Sequence, residues 1–317
     1  MILLLKKIFK KILSKKLLSV FLKDQVFIFV YHDISNEKNP VVSDIHNTSI
    51  DNFRNHIEFI SSNFKVISLD CLETDEVLVK GPYAIITFDD GLQSIIDNGM
   101  PILSEKKIPF TLFLNENAIK NNYLWNIEMI EHIEDPDFLI DFYKNYISID
   151  ISLEQFLSNP LKYAVSESNI NYLCGRKKMI STKYNFIDVE TVEILKQNPM
   201  IFLGDHSKNH LNLKLAEEKN LDFSEFLDSK NYFNNEFQLD LKHFAIPFGK
   251  KEHYNDAVLE ELYKKGYEYI YTTNPVGYKM KKHENNYKLI PRIGLTNQSI
   301  QDIIFMLNRT IVKTIDI

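Results

Sequence analysis

Short apolar runs alternate along this chain with stretches of helical periodicity, and most of the runs close on polar or turn-forming residues. "VFIFVYHDI" (Val26–Ile34) precedes helical spacing in "SIDNFRNHIEFISSNF", and then "KVISL" and "YAIITF" follow. "QSIIDNGMPILSEKK", helix-like around Pro101, leads into "IPFTLFLN". Brief runs rich in β-branched and aromatic residues read as strands buried on both faces. Their alternation with helices calls for a mainly parallel sheet covered by helices. The pattern resumes with helical "DVETVEILKQN", the strand "PMIFLG" running into "DHSKNH", a helix over roughly 216–233, and the strand "KHFAIPFG". "NDAVLEELYKKG" reads as a helix stopped by Gly266, "YEYIYTT" and "YKLIPRIGL" as strands, and "SIQDIIFMLNRT" as a last helix. About seven such units suit a barrel as readily as an open sheet. Between about 123 and 186 the strand signal fades, and the stretch reads as a helical insertion.

With 317 residues, 44% of them hydrophobic, the chain has ample material for one large α/β core, here placed at 26–317. No internal repeat or low-complexity linker divides it. The net charge of -6 argues against a nucleic-acid partner, which usually demands a basic face. Cys71 and Cys174 stand far apart without CxxC spacing, so a disulfide framework is not expected. Residues 1–25 break the acidic balance. Lys6, Lys7, Lys10, Lys11, Lys15, Lys16 and Lys23 recur at helical spacing against an apolar stripe of Ile8, Ile12, Leu13, Leu17, Val20 and Phe21. Lysine pairs interrupt the apolar stretches, so the segment is too short to span a bilayer and fits a signal peptide poorly. It reads as a basic amphipathic helix, lying either on an anionic membrane surface through residues 1–23 or on the body of the protein. A peripheral, cytoplasmic location follows from the first reading, with export left open.

In parallel α/β folds, function gathers where strands end at their carboxyl side. Four polar clusters fall at such ends: His32–Asp33, Asp89–Asp90, Asp205–His206 with His210, and the Pro247–Phe248–Gly249 turn. A single polar strand end is usually a helix cap or turn former. Four, rich in His and Asp, point to chemistry. His206 and His210, four apart, suit one face of a helical turn and one metal ion. Two imidazoles and a carboxylate fit a divalent metal with open positions. The neighbouring acid is then free to act as a base, since a metal lowers the pKa of its water toward ~7.

"TFDDG" (Thr87–Gly91), "HSKNH" (His206–His210) and "FAIPFG" (Phe244–Gly249), in that order, resemble the NodB-homology polysaccharide deacetylases, metal-dependent carbohydrate esterases. The resemblance covers roughly Val26 to Leu295 and implies a distorted (β/α)7 barrel. It implies Asp89 as catalytic base and Asp90, His206 and His210 as metal ligands. It also implies that the Phe248 N–H, set by Pro247 and Gly249, helps hold the tetrahedral oxyanion, as a fixed donor should. "VYHDI" is similar to the poly-N-acetylglucosamine and capsule-type members, where a Tyr-His strand end supplies the general acid; here that is His32. A donor at neutral pH is most simply an imidazolium, with an ordinary pKa of ~6.5. Trp125 in "WNIE" is implied to stack on a sugar, or else belongs to the core. Arg292 in "PRIGL" is implied to orient Asp89. Two departures stand out. Ala245 occupies a position where many members carry arginine. Asp205 replaces a common serine, adding negative charge beside the metal or partnering a histidine.

These features lead to an expected metal-dependent N-deacetylase of an N-acetylated sugar in a surface polysaccharide, lipopolysaccharide or glycolipid precursor. Zinc is the first choice of ion, with Co2+ or Ni2+ as alternatives. The rivals are an inactive glycan-binding relative and a hydrolase of another acyl group, formyl or O-acetyl.

Overall fold

The computed structural model describes residues 25–36, 46–74, 81–122, 124, 144, 185–218, 227–278 and 286–315. The expected basic helix up to residue 24 and nearly all of the expected insertion at 123–186, Trp125 included, lie outside them. The described chain forms a ring of parallel strands in the order β10 (Lys288–Pro291), β9 (Tyr269–Thr272), β8 (His243–Ala245), β7 (Ile201–Asp205), β6 (Phe110–Leu114), β5 (Tyr83–Phe88), β1 (Val26–Tyr31) and β11 (Ile293–Gly294). β10 and β11 are one strand broken only at Arg292. Its first half pairs with β9 and its second with β1, so this seam closes the ring. Counting β10 and β11 once leaves seven staves, a distorted (β/α)7 barrel rather than an open sheet.

Strand alternation sorts the side chains into two layers. Phe27, Phe29 and Tyr31 of β1, Ile86 and Phe88 of β5, and Leu112 and Leu114 of β6 point outward beneath the helices. Val26, Ile28, Ile85, Phe113, Ala245, Tyr271 and Ile290 fill the interior. Helix α1 (Ile50–Asn63) shows the outer packing. Ser49 caps it by accepting from Asn52 N, and Phe53, His56, Ile57 and Ile60 face the sheet.

Some expected elements are shorter. "KVISL" yields only β4 (Lys65–Val66) before a 3₁₀ turn at Leu69–Leu72. Of the helix expected over 216–233, the described residues show Leu213–Glu218 and Ser229–Phe237, and 219–226 lie outside them. Pro101 sits in the first turn of a helix at Met100–Glu105, where its missing N–H costs nothing; a wide π turn at Ile95–Gly99 precedes it.

Register is what positions the site. β1 and β5 pair from Val26↔Tyr83 to Tyr31↔Phe88, so the next residues on each strand, His32 and Asp89, meet at the rim. β6 and β7 pair through Leu114↔Asp205, which brings Asn115 and His206 to the same level. β7 and β8 pair at Asp205↔Phe244, which sets His206 beside Ala245. Parity then sends His32, Asp89, Asn115 and His206 toward the interior of the barrel mouth.

Candidate active site

Asp89 and Asp90 are neighbours with opposite surroundings. Both are buried. Asp89 ends the inward series Ile85, Thr87, Asp89 and meets Arg292 from the closing seam in a bidentate pair, Nη1 to Oδ1 and Nη2 to Oδ2 at 2.7 Å each. Burial by itself would raise the Asp89 pKa. The guanidinium charge, His206 and the two charge-assisted bonds outweigh it and hold the carboxyl well below the usual carboxylate range. The guanidinium is in turn sandwiched, lying 5.1 Å over the Phe113 ring and 6.0 Å from that of Tyr271. Arg292 therefore supplies a cation beside the acid.

Asp90 turns the other way. Its φ of 69° places it in the left-handed region, followed by Gly91 at 70°. Its Oδ1 is buried, with no hydrogen-bond partner among the described residues. Burial, then the charge of Asp89, push its pKa well up. Around that oxygen stand His206 Nε2 at 3.6 Å and His210 Nε2 at 3.4 Å.

The histidine pair is set by a loop, not by the helical turn its spacing suggested. Ser207 has φ 70° and His210 φ 52°. The loop is tied down by Ser207 N donating to Asp205 Oδ1 at 2.8 Å and His210 N donating to Ser207 Oγ at 3.0 Å. Asn115 donates its amide to the His206 and Ser207 carbonyls. His206 Nδ1 lies 2.7 Å from the Ala245 carbonyl, which can only accept; the proton is thus on Nδ1, and Nε2 keeps its lone pair toward Asp90. Burial lowers the pKa of both rings, so they stand neutral.

Asp205 plays neither of the parts expected of it. Its parity on β7 points it outward, to Ser229 Oγ at 2.9 Å and Tyr267 Oη at 2.6 Å. Nor does it partner a histidine ring: the bond to His206 comes from Ala245.

Do these residues fit a metal? Asp90, His206 and His210 each offer a ligand atom, all within 4.8 Å of one another. Ligands about 2.1 Å from one ion at a tetrahedral angle lie about 3.4 Å apart. The 3.4 and 3.6 Å separations are too long for hydrogen bonds and match that spacing. Buried, unsatisfied Asp90 Oδ1 and His206 Nε2 complete the fit.

The Pro247–Phe248–Gly249 turn faces this group. Phe248 holds φ 62°, a costly value for a bulky residue, and its ring packs edge-on against His210 at 4.6 Å. Thr273 fixes the turn, its Oγ1 donating to the Phe248 carbonyl and its N to the Gly249 carbonyl, both at 2.8 Å. Gly249 is required there: at φ 66°, a Cβ would stand 2.7 Å from Thr273 N. Among the described residues no hydrogen bond uses the Phe248 N–H.

His32 sits on the same rim, half-buried, with its ring 4.7 Å from that of His46. Burial, reinforced by His46 and opposed by Asp89, lowers its pKa to about 3. The resting ring is therefore neutral, not the imidazolium expected from an ordinary pKa. Asn115, Ser207, the Ala245 carbonyl and His46 did not stand out in the sequence. Only Asn115, closing the run "LFLN", carried the strand-end signal that marked the others.

The family model for polysaccharide deacetylases matches residues 78–270. Solved structures of similar fold include a polysaccharide deacetylase from Bacillus cereus, at 14% identity over 90% of this chain and 69% of that one, TM-score 0.59. The Streptococcus pyogenes deacetylase PplD in complex with acetate is 17% identical over 92% of this chain and 97% of its own, TM-score 0.55. IcaB from Ammonifex degensii is 13% identical over 89% and 97%, TM-score 0.55. At these identities the likeness establishes a shared fold. No curated protein sequence gives a significant match.

Proposed function

Since the chain belongs to the polysaccharide deacetylase family, we propose that it is a metal-dependent N-deacetylase of an N-acetylated sugar in a surface polysaccharide, lipopolysaccharide or glycolipid precursor. The observation that carries this reading is the split of one acid pair: Asp89 locked to Arg292, Asp90 orphaned between two neutral imidazoles. Asp90, His206 and His210 would hold the ion, zinc before Co2+ or Ni2+. When bound, the ion supplies the positive charge that acidifies water and steadies negative charge on the acyl oxygen.

The chain's own residues do the rest. Asp89 stays ionised across the working range, its oxygens held by Arg292, and so is always ready to accept the proton of the attacking water. The Phe248 N–H, presented by its left-handed turn, donates to the developing oxyanion. His32, register neighbour of Asp89, passes a proton to the departing amine. Because the resting ring is neutral, the proton it passes on is the one Asp89 takes from the attacking water, which must reach His32 before the amine departs. Trp125, outside the described residues, is proposed as a sugar-stacking wall. Among the described residues no helix is long and apolar enough to cross a membrane. Residues 1–23 are proposed as a reversible contact with anionic lipid, each lysine contributing about 1 kcal/mol near the surface.

The test is acetate release from N-acetylglucosamine oligomers and cell-envelope glycan, with zinc and with chelator. Release only from O-acetyl or formyl substrates would replace the acyl group in this reading. Tight glycan binding without release from any substrate would make the chain a binding relative.

A further inference from the structure

His206 and His210 reach the barrel mouth by different means. His206 is held by the sheet itself. Its N donates to the Leu114 carbonyl at 2.9 Å, and its ring to the Ala245 carbonyl at 2.7 Å. His210 lies past the end of β7, at the far side of a loop with two strained residues. Ser207 has φ 70° and His210 φ 52°, and neither is a glycine. Such conformations persist where surrounding bonds over-determine them. Two linked side-chain-to-backbone bonds supply part of that restraint. Asp205 Oδ1 accepts from Ser207 N at 2.8 Å, and Ser207 Oγ accepts from His210 N at 3.0 Å. They run from the strand end to the second imidazole.

Asp205 is a costly residue for its place. It is fully buried, and among the described residues its hydrogen-bond donors are neutral. A buried acid is tolerated when its oxygens are filled. Besides Ser207 N, Tyr267 Oη donates to Oδ2 at 2.6 Å, and Ser229 Oγ lies 2.9 Å from both oxygens. Ser229 opens the helix at Ser229–Phe237, and Tyr267 follows Gly266, just beyond the helix at Asp256–Lys264. The carboxylate thus has two arms. Oδ2 ties β7 to the outer elements, and Oδ1 shapes the loop. We propose that Asp205 is a positioning residue for the metal centre, whose Oδ1 holds Ser207 in its left-handed turn and so sets His210 Nε2 against Asp90. It touches no ligand atom and acts from behind the strand. This rests on the proposed function for the ion, though not for the acyl substrate, and it requires that the barrel fold without Asp205.

The test uses the full chain and three variants. Zinc affinity is read by competition with a chelator of known affinity. Ligand geometry is read from the visible spectrum of the Co2+-loaded protein. Stability is read as the melting temperature of the metal-free protein. Asp205→Asn keeps an oxygen for Ser207 N, and its amide can donate to the Ser229 or Tyr267 hydroxyl. Tyr267→Phe cuts the Oδ2 arm. Asp205→Leu combined with Ser229→Ala and Tyr267→Phe makes the cluster apolar, leaving no hydroxyl stranded and Ser207 N without its acceptor. Removing one partner of a buried bond is costly, whereas removing both is nearly neutral.

Tyr267→Phe should lower the melting temperature and keep the zinc affinity and Co2+ spectrum of wild type. The triple variant should melt no lower than Tyr267→Phe, yet weaken zinc by about 10- to 100-fold, the usual cost of losing a support behind a metal ligand. Its Co2+ spectrum should change. Asp205→Asn should stay within several-fold of wild-type affinity.

Zinc affinity that follows melting temperature across the variants would overturn the proposal, leaving Asp205 a packing role alone. Wild-type affinity in the triple variant would also overturn it. So would equal loss in Asp205→Asn, which would place the effect in the negative charge rather than in the bond, and so would a triple variant that does not fold. If wild type holds zinc without releasing acetate, and Asp205→Asn still outbinds the triple variant, Asp205 stands and the proposed deacetylation falls. If wild type holds no zinc, both fall.

Discussion

Two buried histidines, one at each end of the barrel, show what separates its closed end from its open one. His243 begins β8 at the amino end. Its Nδ1 meets Tyr271 Oη and its Nε2 meets Glu73 Oε1, both at 2.8 Å, and its ring stacks on Tyr269 at 4.4 Å. His206 follows β7 at the carboxyl end. One of its nitrogens is satisfied by Ala245 and the other, equally buried, has no hydrogen-bond partner among the described residues. Burial does not distinguish them, for His243 is 5% exposed and His206 1%. Completion does. A core histidine is a finished piece of structure, and one that folds unfinished is waiting for a ligand. Positive φ at non-glycine residues occurs at both ends, but Lys107, Asn122 and Gln238 hold it at or just past helix ends, where it is ordinary. Asp90, Ser207, His210 and Phe248 all hold positive φ at the open end.

The largest effect should come from removing the unfinished nitrogen. His206→Ala is expected to abolish metal retention, measured on purified protein by elemental analysis, and to take acetate release with it while the fold stays intact. Full occupancy in that variant would mean that the open end is not a metal centre.

Next comes His32. Its removal should leave the metal and the fold in place and lower kcat by about 10²- to 10⁴-fold, the usual range for general acid–base catalysis. Because burial holds the ring neutral, no limb of the pH–rate profile near 6.5 should belong to it. A wild-type rate on an amide substrate would take His32 out of the mechanism, and loss of metal would make it a ligand.

Much of the open end was legible because period-two strands deliver their last residues to one rim. The runs ending in His32, Asp89 and His206 announced both strand and candidate site, and "TFDDG" placed two acids that the fold gives opposite surroundings. What stayed hidden depends on three-dimensional register. Arg292 was set beside Asp89 by resemblance alone; nothing local says that it gets there by breaking a strand between two partners. Asp205 looked like part of the metal site because it touches His206 in sequence, whereas strand parity sends neighbours to opposite faces. His46 lay in an unremarkable stretch between the first strand and the first helix. Only the pairing of β2 (Asp33–Ile34) with β3 (Asn47–Thr48) sets it beside His32.

A third and smaller effect concerns pH. In the metal-free protein the wholly or partly buried histidines His32, His46, His56, His206, His210 and His243 have lowered pKa values. Below ~6.5 the unfolded chain binds more protons at these sites, so stability rises with pH. Asp90 works in the opposite sense. Its pKa, pushed up to about 8, means the native state binds the extra proton from ~3.9 upward, so its contribution falls as pH rises. Above ~6.5 only the falling contribution remains among these groups. Melting temperature of the metal-free protein should therefore peak near neutrality and decline toward pH 8. Bound metal, which needs the ionised carboxylate, should remove that decline, and so should Asp90→Asn. A flat profile in the metal-free wild type would mean that Asp90 is already paired.

The smallest effect is expected at the closed end, and it asks whether the two ends communicate. Glu73, 43% exposed at its side chain, accepts from His243, which bonds Tyr271, whose ring lies against Arg292, the partner of Asp89. The bond to His243 lowers the Glu73 pKa, so its contribution is present above ~4.3 and is lost as pH falls. A half-exposed pair is worth little, and Gln still offers a carbonyl to the ring. Glu73→Gln should thus cost less than about 1 kcal/mol by denaturant unfolding. Metal content and kcat should not move, because the Arg292–Asp89 pair is fixed by two bonds of its own and by the Phe113 ring. A change of more than about twofold in kcat at unchanged stability, well beyond what a surface pair contributes, would show that Tyr271 carries the state of one end to the other, and the contrast between a finished and a waiting end would have to give way to a single coupled network.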